Sequence, residues 1–153
     1  MNNEETVVII AVIIGAAIGI TINVFYLLTL QNVLKEVSNN NRLVPAANVW
    51  LMFIPLFNLI YPFILYPKIS DSVRNEYETR GLDPKGDFSR QLGIAMPILA
   101  LCGIVPFIGI FASIANLVLF IIFWVKMGEY KNELIRTRNM VKTSISNNPN
   151  ILD

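Results

Sequence analysis

Three long stretches of this sequence contain no charged residue. They run from Thr6 to Leu34, from Leu43 to Pro67 and from Gln91 to Val125. A helix of about 20 residues crosses the hydrocarbon core of a membrane, which is about 30 Å thick, and each stretch is longer than that. A soluble protein with apolar core helices would still carry charged residues on the outward face of each helix. The sequence therefore predicts an integral membrane protein.

The composition argues against several classes of function. The formal net charge is only +1, and there is no basic patch with interleaved aromatic residues, so we expect no nucleic-acid partner. The chain contains no histidine, which removes the commonest general base and metal ligand. The single cysteine, Cys102, therefore lacks its usual activating base and is interpreted as a small buried residue. We expect a non-catalytic protein with no cofactor and no metal site.

The acidic residues that follow the second stretch do not change this expectation. Asp71, Glu76, Glu78 and Asp83 alternate with lysines and arginines. Such alternation is typical of a solvated helix face, and we prefer that interpretation to a metal site. The segment from Ile69 to Arg80 is predicted to be an amphipathic helix with one apolar stripe.

The third stretch is too long for a single span. Gly103, Pro106 and Gly109 cluster at its middle and predict a tight helical hairpin. The segments Thr6–Leu30 and Asn48–Tyr66 are predicted to be two further spans. Together with the hairpin they give an all-α membrane protein with four transmembrane helices in two hairpins. Amphipathic helical extensions are expected on the cytoplasmic side. Residues 1–140 are predicted to form one transmembrane domain, and residues 141–153 a disordered polar tail.

Two groups of residues in the spans predict close packing or polar contacts. Gly15, Gly19 and Asn23 recur every four residues and share one helix face. Small residues on such a face let another backbone approach, either within the subunit or from a partner protein. Asn116 in the last span and Asn58 in the second are expected to make polar contacts between helices.

Pro55 predicts a break in the second span. A proline inside a helix removes a backbone donor and clashes with the preceding turn. We expect a kink or an unwound turn between Ile54 and Asn58, with the Asn58 side chain turned toward protein and bonded to the freed carbonyl of Ile54. The carbonyl of Leu51 is also freed by Pro55 and needs a partner in lipid.

Lysine and arginine residues favour the cytoplasmic side of a membrane. With four spans, all of them except Lys35 and Arg42 share the side of the C-terminus. This predicts that both termini are cytoplasmic. If the proline-rich second segment is instead re-entrant, all twelve fall inside and the acidic N-terminus lies outside. The sequence leaves this alternative open.

Several short motifs lie between Leu30 and Leu134. They include Asn41-Arg42 with Pro45, Val49-Trp50-Leu51, Ile54-Pro55-Leu56-Phe57-Asn58, Ser72 with Glu76, and Arg80-Gly81-Leu82. In these motifs the chain resembles a family of small uncharacterised bacterial integral membrane proteins with no assigned activity. The resemblance implies a multi-pass protein of the bacterial cytoplasmic (inner) membrane, and it implies no mechanism.

The expected function follows from what the spans contain. A proton- or ion-coupled transporter usually places an ionisable residue inside the membrane, and these spans have none. We therefore expect an accessory or scaffolding subunit in contact with the lipid bilayer and with other membrane subunits or copies of itself. The alternative is an oligomeric channel or transporter component, with Asn23, Asn58, Ser113 and Asn116 as lining candidates.

Overall fold

The computed structural model describes residues 2–83 and 86–147. Within these ranges the chain forms five α-helices, one 3₁₀ helix and no strand. The helices are α1 (Asn3–Glu36), the 3₁₀ helix (Ala46–Phe53), α2 (Pro55–Ile60), α3 (Pro62–Thr79), α4 (Arg90–Cys102) and α5 (Ile108–Asn147). The all-α prediction is confirmed for the described chain.

Two of the described helices are long and apolar enough to cross a membrane. They are α1, with 34 residues, and α5, with 40 residues. Helix α4 has 13 residues and spans only about 20 Å. The second apolar stretch is not one helix, because the 3₁₀ helix ends at Phe53 and α2 begins at Pro55. Four transmembrane helices are therefore not supported.

The chain between α1 and α3 leaves one end of the bundle and returns to it. The backbone N–H of Ser38 donates to Glu76 Oε2 at 2.9 Å, and that of Leu43 donates to Ser72 Oγ at 2.9 Å. Ser72 and Glu76 both lie in the C-terminal half of α3. The 3₁₀ helix, α2 and the start of α3 thus form a hairpin with both ends at the same level. This is the shape of the re-entrant alternative.

The core lies where the C-terminal half of α1 meets α3 and α5. The predicted stripe of Ile69, Val73 and Tyr77 on α3 is fully buried, so this prediction is confirmed. Toward the apolar end, the ring of Tyr26 lies 4.5 Å from that of Phe120, centroid to centroid. The core is built mainly from the following buried side chains: Tyr26, Leu27, Leu30, Val33, Leu34, Leu65, Tyr66, Ile69, Val73, Tyr77, Phe88, Phe123, Met127, Tyr130 and Leu134.

Helix α3 ends where the sequence predicts. Gly81 adopts a left-handed conformation with φ of +64°. The N–H of Leu82 then donates to the carbonyl of Tyr77 at 2.9 Å. This is the arrangement by which a glycine satisfies the last carbonyls of a helix. Beyond the loop, Asp87 accepts the N–H of Gln91 at 2.9 Å and caps the start of α4.

Helices α4 and α5 form the predicted hairpin around residues 103–107. Gly109 allows close approach there, because a Cβ on it would collide with the carbonyl oxygen of Gly103. Near the start of α4, a Cβ on Gly93 would lie 2.8 Å from Tyr66 Cβ, so this glycine lets α4 pack closely against α3. Helix α5 then continues to Asn147, so residues 141–147 of the predicted tail are helical. Residues 148–153 lie outside the described residues.

Candidate functional site

A buried carboxylate joins the ends of α1 and α3. Glu76 is 3% exposed. Its Oε2 accepts hydrogen bonds from Ser38 N at 2.9 Å, Ser38 Oγ at 2.7 Å and Asn41 Nδ2 at 2.8 Å. Its Oε1 accepts Arg80 Nε at 2.8 Å. We call Ser38, Asn41, Glu76 and Arg80 the Glu76 cluster.

Arg80 connects this cluster to α5. Its Nη1 donates to the carbonyl of Leu134 in α5 at 2.7 Å, and its Nη2 donates to the carbonyl of Glu36 at 3.0 Å. Glu36 is the last residue of α1, whose final carbonyls have no partner within the helix. One guanidinium therefore holds the ends of α1 and α3 against α5.

The hydrogen bonds determine the charge state of Glu76. Burial by itself raises the pKa of the carboxyl group, but the bonds from Ser38, Asn41 and Arg80 outweigh burial, and the net pKa lies below its ordinary value. Glu76 is thus ionised at neutral pH and fully engaged. A carboxylate held this way stabilises the fold and is poorly suited to proton transfer.

The interpretation of Glu76 as part of a solvated face is wrong. Glu76 lies three residues after Val73 and four after Ser72, which places it on the face that α3 turns toward the bundle. The solvated face predicted for this helix is nevertheless present at Arg74 and Glu78, which form an exposed ion pair 3.0 Å apart. Among the described residues, no group of three or more acidic residues or cysteines is placed to hold a metal ion.

A second polar feature lies among the apolar halves of the helices. A cleft of about 230 Å³ is lined by Asn23 of α1, Asn58 of α2 and Asn116 of α5. Tyr26 and Tyr66 also line it. We call it the asparagine cleft. The structure thus brings together three of the four candidate lining residues, while Ser113 lies beside the α4–α5 turn instead.

The predicted break at Pro55 is present, but its hydrogen bonds differ from those expected. Ile54 N–H donates to the carbonyl of Leu51 at 3.1 Å, and the backbone N–H of Asn58 donates to the carbonyl of Ile54 at 2.8 Å. Pro55 is the first residue of a new helix, where its missing N–H costs little. The exposed Asn58 side chain makes no hydrogen bond within residues 2–83 and 86–147.

The two glycines of the small-residue face of α1 have no partner within the described chain. A Cβ added to Gly15 or Gly19 would meet no atom within 4 Å. At these two positions the structure does not show packing inside the subunit, one of the two interpretations of this face, whereas Asn23 on the same face lines the asparagine cleft. The face remains open to lipid or to another chain.

The Glu76 cluster was not predicted from the sequence, because acidic and basic residues alternate around Glu76 as they do on a solvated helix face. A signal was nevertheless present. Asn41, Ser72, Glu76 and Arg80 all belong to the short motifs noted in the sequence, and the structure brings them to one place. Ser72 Oγ accepts the N–H of Leu43, which fixes the return of the chain beside the cluster.

Comparisons with protein-family models, with curated proteins and with solved structures find no match. The class of protein is therefore described from the fold alone. The described chain is an all-helical protein with two helices of membrane-crossing length. A buried, ionised cluster joins the end of α1 to α5, and a polar cleft opens near the middle of α1 among apolar side chains.

Proposed function

We propose that this protein is a small, non-catalytic accessory or scaffolding subunit of a complex in the bacterial cytoplasmic membrane. The observation that supports this most is the division of α1 into two unlike halves. Its C-terminal half is buried in the bundle through Tyr26, Leu27, Leu30, Val33 and Leu34. The most apolar 18-residue segment of α1, by contrast, contains no residue that is buried inside the chain.

The free half of α1 is suited to contact another membrane helix. It presents Gly15 and Gly19 on one face with no neighbour in the described chain. A helix that meets only lipid gains nothing from small residues, whereas a second helix packs more closely against them. The Glu76 cluster meanwhile holds the other half in place, so a partner bound to α1 would be fixed relative to the charged bundle.

The orientation we propose follows the re-entrant alternative. The prediction that both termini are cytoplasmic depends on four spans. In the structure, Arg90 at the start of α4 pairs with Asp71 of α3 at 3.2 Å, so the α4–α5 hairpin starts on the charged side. Every lysine and arginine follows Leu34 in the sequence. The positive-inside tendency then favours an external N-terminal end of α1 and a cytoplasmic bundle.

Cysteine labelling in intact cells tests this orientation. On a Cys102→Ser background, Asn2→Cys should react with a membrane-impermeant maleimide, whereas Asn40→Cys and Asn139→Cys should react only after lysis. Four crossings with cytoplasmic termini would exchange the results at the first two positions, with only Asn40→Cys labelled from outside and Asn2→Cys and Asn139→Cys reactive only after lysis.

The partner surface is tested at Gly15. We expect Gly15→Leu to leave the unfolding temperature of the purified protein unchanged, because the new side chain meets no atom of its own chain. We expect it to reduce, at least fivefold, the partner or second copy recovered in mild detergent, because leucine blocks close approach of a second backbone.

The neighbouring exposed Ile14→Leu serves as the matched control, since it keeps side-chain volume and should change neither quantity. Unchanged recovery with Gly15→Leu would show that this face meets only lipid and would remove the main support for a scaffolding role.

An oligomeric channel or transporter component is the second candidate, and the asparagine cleft favours it. Its amide side chains offer donors and acceptors to a hydrated solute inside an apolar region. A pure homo-oligomer that conducts in planar bilayers, with conductance lost in Asn116→Leu, would support this function over scaffolding.

A further inference from the structure

Residues from four helices of the described chain lie side by side and define one level of the bundle. They are Tyr26 of α1, Tyr66 of α3, Gly93 of α4 and Phe123 of α5. The ring centroid of Tyr66 lies 6.4 Å from that of Tyr26 and 5.2 Å from that of Phe123. A Cβ on Gly93 would lie 2.8 Å from Tyr66 Cβ and 3.4 Å from the Phe123 ring. We call this the common level, and depth along each helix is counted from it.

The common level coincides with one surface of the membrane core. Lys68, Arg90 and Lys126 are the first basic residues of α3, α4 and α5 beyond the apolar segments, and each lies two or three residues from this level. In α1, Thr6 lies 20 residues before Tyr26, which corresponds to about 30 Å, the thickness of the hydrocarbon core. The acidic N-terminal residues come directly before Thr6. Helix α1 therefore crosses the whole core, from the common level to its N-terminal end.

The other apolar helices end inside the core. From the common level, α3 and α2 run for 11 residues to Pro55, α4 for nine residues to Cys102, and α5 for 15 residues to Ile108. These lengths correspond to depths of about 16, 14 and 22 Å, and any tilt of the helices would reduce them. The side chains at the two turns are apolar and open to the surroundings, since Leu56 is 81% exposed and Phe107 is 89% exposed. Both turns are thus suited to lie among acyl chains.

The protein consequently has different widths in the two leaflets. About 10 Å below the common level, the asparagine cleft is lined by residues of α1, the 3₁₀ helix, α2, α4 and α5, so five elements lie side by side there. In the last third of the core, only α1 remains of the described chain. A helix with its side chains is about 10–12 Å wide, so the leaflet next to the bundle loses much more area to protein than the opposite leaflet does.

We infer that this protein is a wedge in the bilayer and senses membrane curvature. Insertion of protein mainly into one leaflet is sensitive to curvature, because bending the membrane opens the head-group region of the convex leaflet. The protein should accumulate where the leaflet next to the bundle is convex. The inference goes beyond the accessory role proposed above. It rests on the re-entrant arrangement of the second apolar stretch, and it requires no partner on α1.

Vesicles of different sizes test the inference with the full chain. On a Cys102→Ser background, a fluorophore on the exposed Asn139→Cys marks the bundle side, and the protein is reconstituted below one copy per vesicle. Membrane-impermeant dithionite bleaches only the outward-facing copies, so both orientations are measured in one preparation. From vesicles of about 200 nm to vesicles of about 50 nm, we expect the density of outward-facing copies to rise at least about twofold. The density of inward-facing copies should fall by a similar factor.

The inward-facing copies are the matched control, because they are the same protein in the same lipid. A density that depends equally on vesicle size in both orientations would overturn the wedge. Copy numbers below one per vesicle prevent a second chain from packing on α1 and filling the narrow half. The partner surface is tested separately by Gly15→Leu, so failure of the wedge is distinguishable from failure of the accessory role.

The depth of the turns supplies the second measurement. Leu56→Cys and Phe107→Cys, made singly on the Cys102→Ser background, replace exposed side chains and should leave the fold intact. Neither should react with a membrane-impermeant maleimide in intact cells or in inverted vesicles, and both should react after denaturation. Labelling of Phe107→Cys on the side where Asn2→Cys reacts would show that the α4–α5 hairpin crosses the membrane. That result would overturn the wedge.

Discussion

Glu76→Gln is expected to lower the free energy of unfolding by about 3 kcal/mol, as breaking one partner of a buried ion pair typically does. The substitution preserves shape but removes the charge that compensates Arg80 at 2.8 Å. It also replaces one acceptor oxygen by an amide nitrogen, which cannot accept from Ser38 or Asn41. Denaturant titration in mild detergent, followed by tryptophan fluorescence, measures the loss.

The exposed pair on the same helix provides the control. Glu78→Gln removes the partner of Arg74 in an equivalent i, i+4 pair at the surface, and it should cost no more than about 0.5 kcal/mol. Equal effects of the two substitutions would contradict the stabilising role assigned to the Glu76 cluster.

The pH dependence checks the charge state. Because folding lowers the pKa of Glu76, its contribution to stability is fully present above the ordinary carboxyl pKa of 4.5 and is lost as the pH falls through the lower folded value. The difference between wild type and Glu76→Gln should therefore shrink below about pH 4. A difference that stayed constant down to pH 2 would show that the carboxylate charge is not what matters.

Gly109→Ala is expected to destabilise the protein by about 2–3 kcal/mol, in the range for overpacking a tight contact. The added methyl would meet the carbonyl oxygen of Gly103, which is backbone and cannot rotate away. The α4–α5 hairpin would have to open to accommodate it. The unfolding temperature of the purified protein and protease sensitivity near the turn both report this change.

Gly128→Ala is the matched control in the same helix. A Cβ there meets nothing within 4 Å, and alanine is the better helix former by about 1 kcal/mol. The two substitutions should therefore change stability in opposite directions. If Gly109→Ala were also neutral or stabilising, the close approach at the turn would be absent from the folded protein.

The sequence predicts local structure well where a single residue type forces a backbone choice. Gly81 ends α3, the cluster around Pro106 turns the hairpin, and Pro55 breaks the second stretch as expected. The apolar stripe of α3 was also predicted correctly, because a spacing of four residues places Ile69, Val73 and Tyr77 on one face of a helix.

The same reasoning failed where the outcome depends on contacts distant in sequence. Whether the proline-rich stretch crosses or turns back is decided by the bonds from Ser38 and Leu43 to α3, which no local pattern reveals. Glu76 looked solvated because Ser38 and Asn41, which bury its Oε2, lie 35 or more residues away. The three asparagines of the cleft were each recognisable as polar residues in apolar segments, but their meeting required the tertiary fold.

The two halves of α1 have a mechanical consequence. A continuous helix held over its last turns and free over its first twenty or so residues acts as a lever about 30 Å long. A tilt of about 10° at the bundle moves its far tip by about 5 Å, because displacement grows with distance from the fulcrum. Conversely, a pull on the tip would become a torque on the buried half of α1, which is held first by the packing of Tyr26, Leu27 and Leu30 and, at its last residue, by the bond from Arg80 to the carbonyl of Glu36.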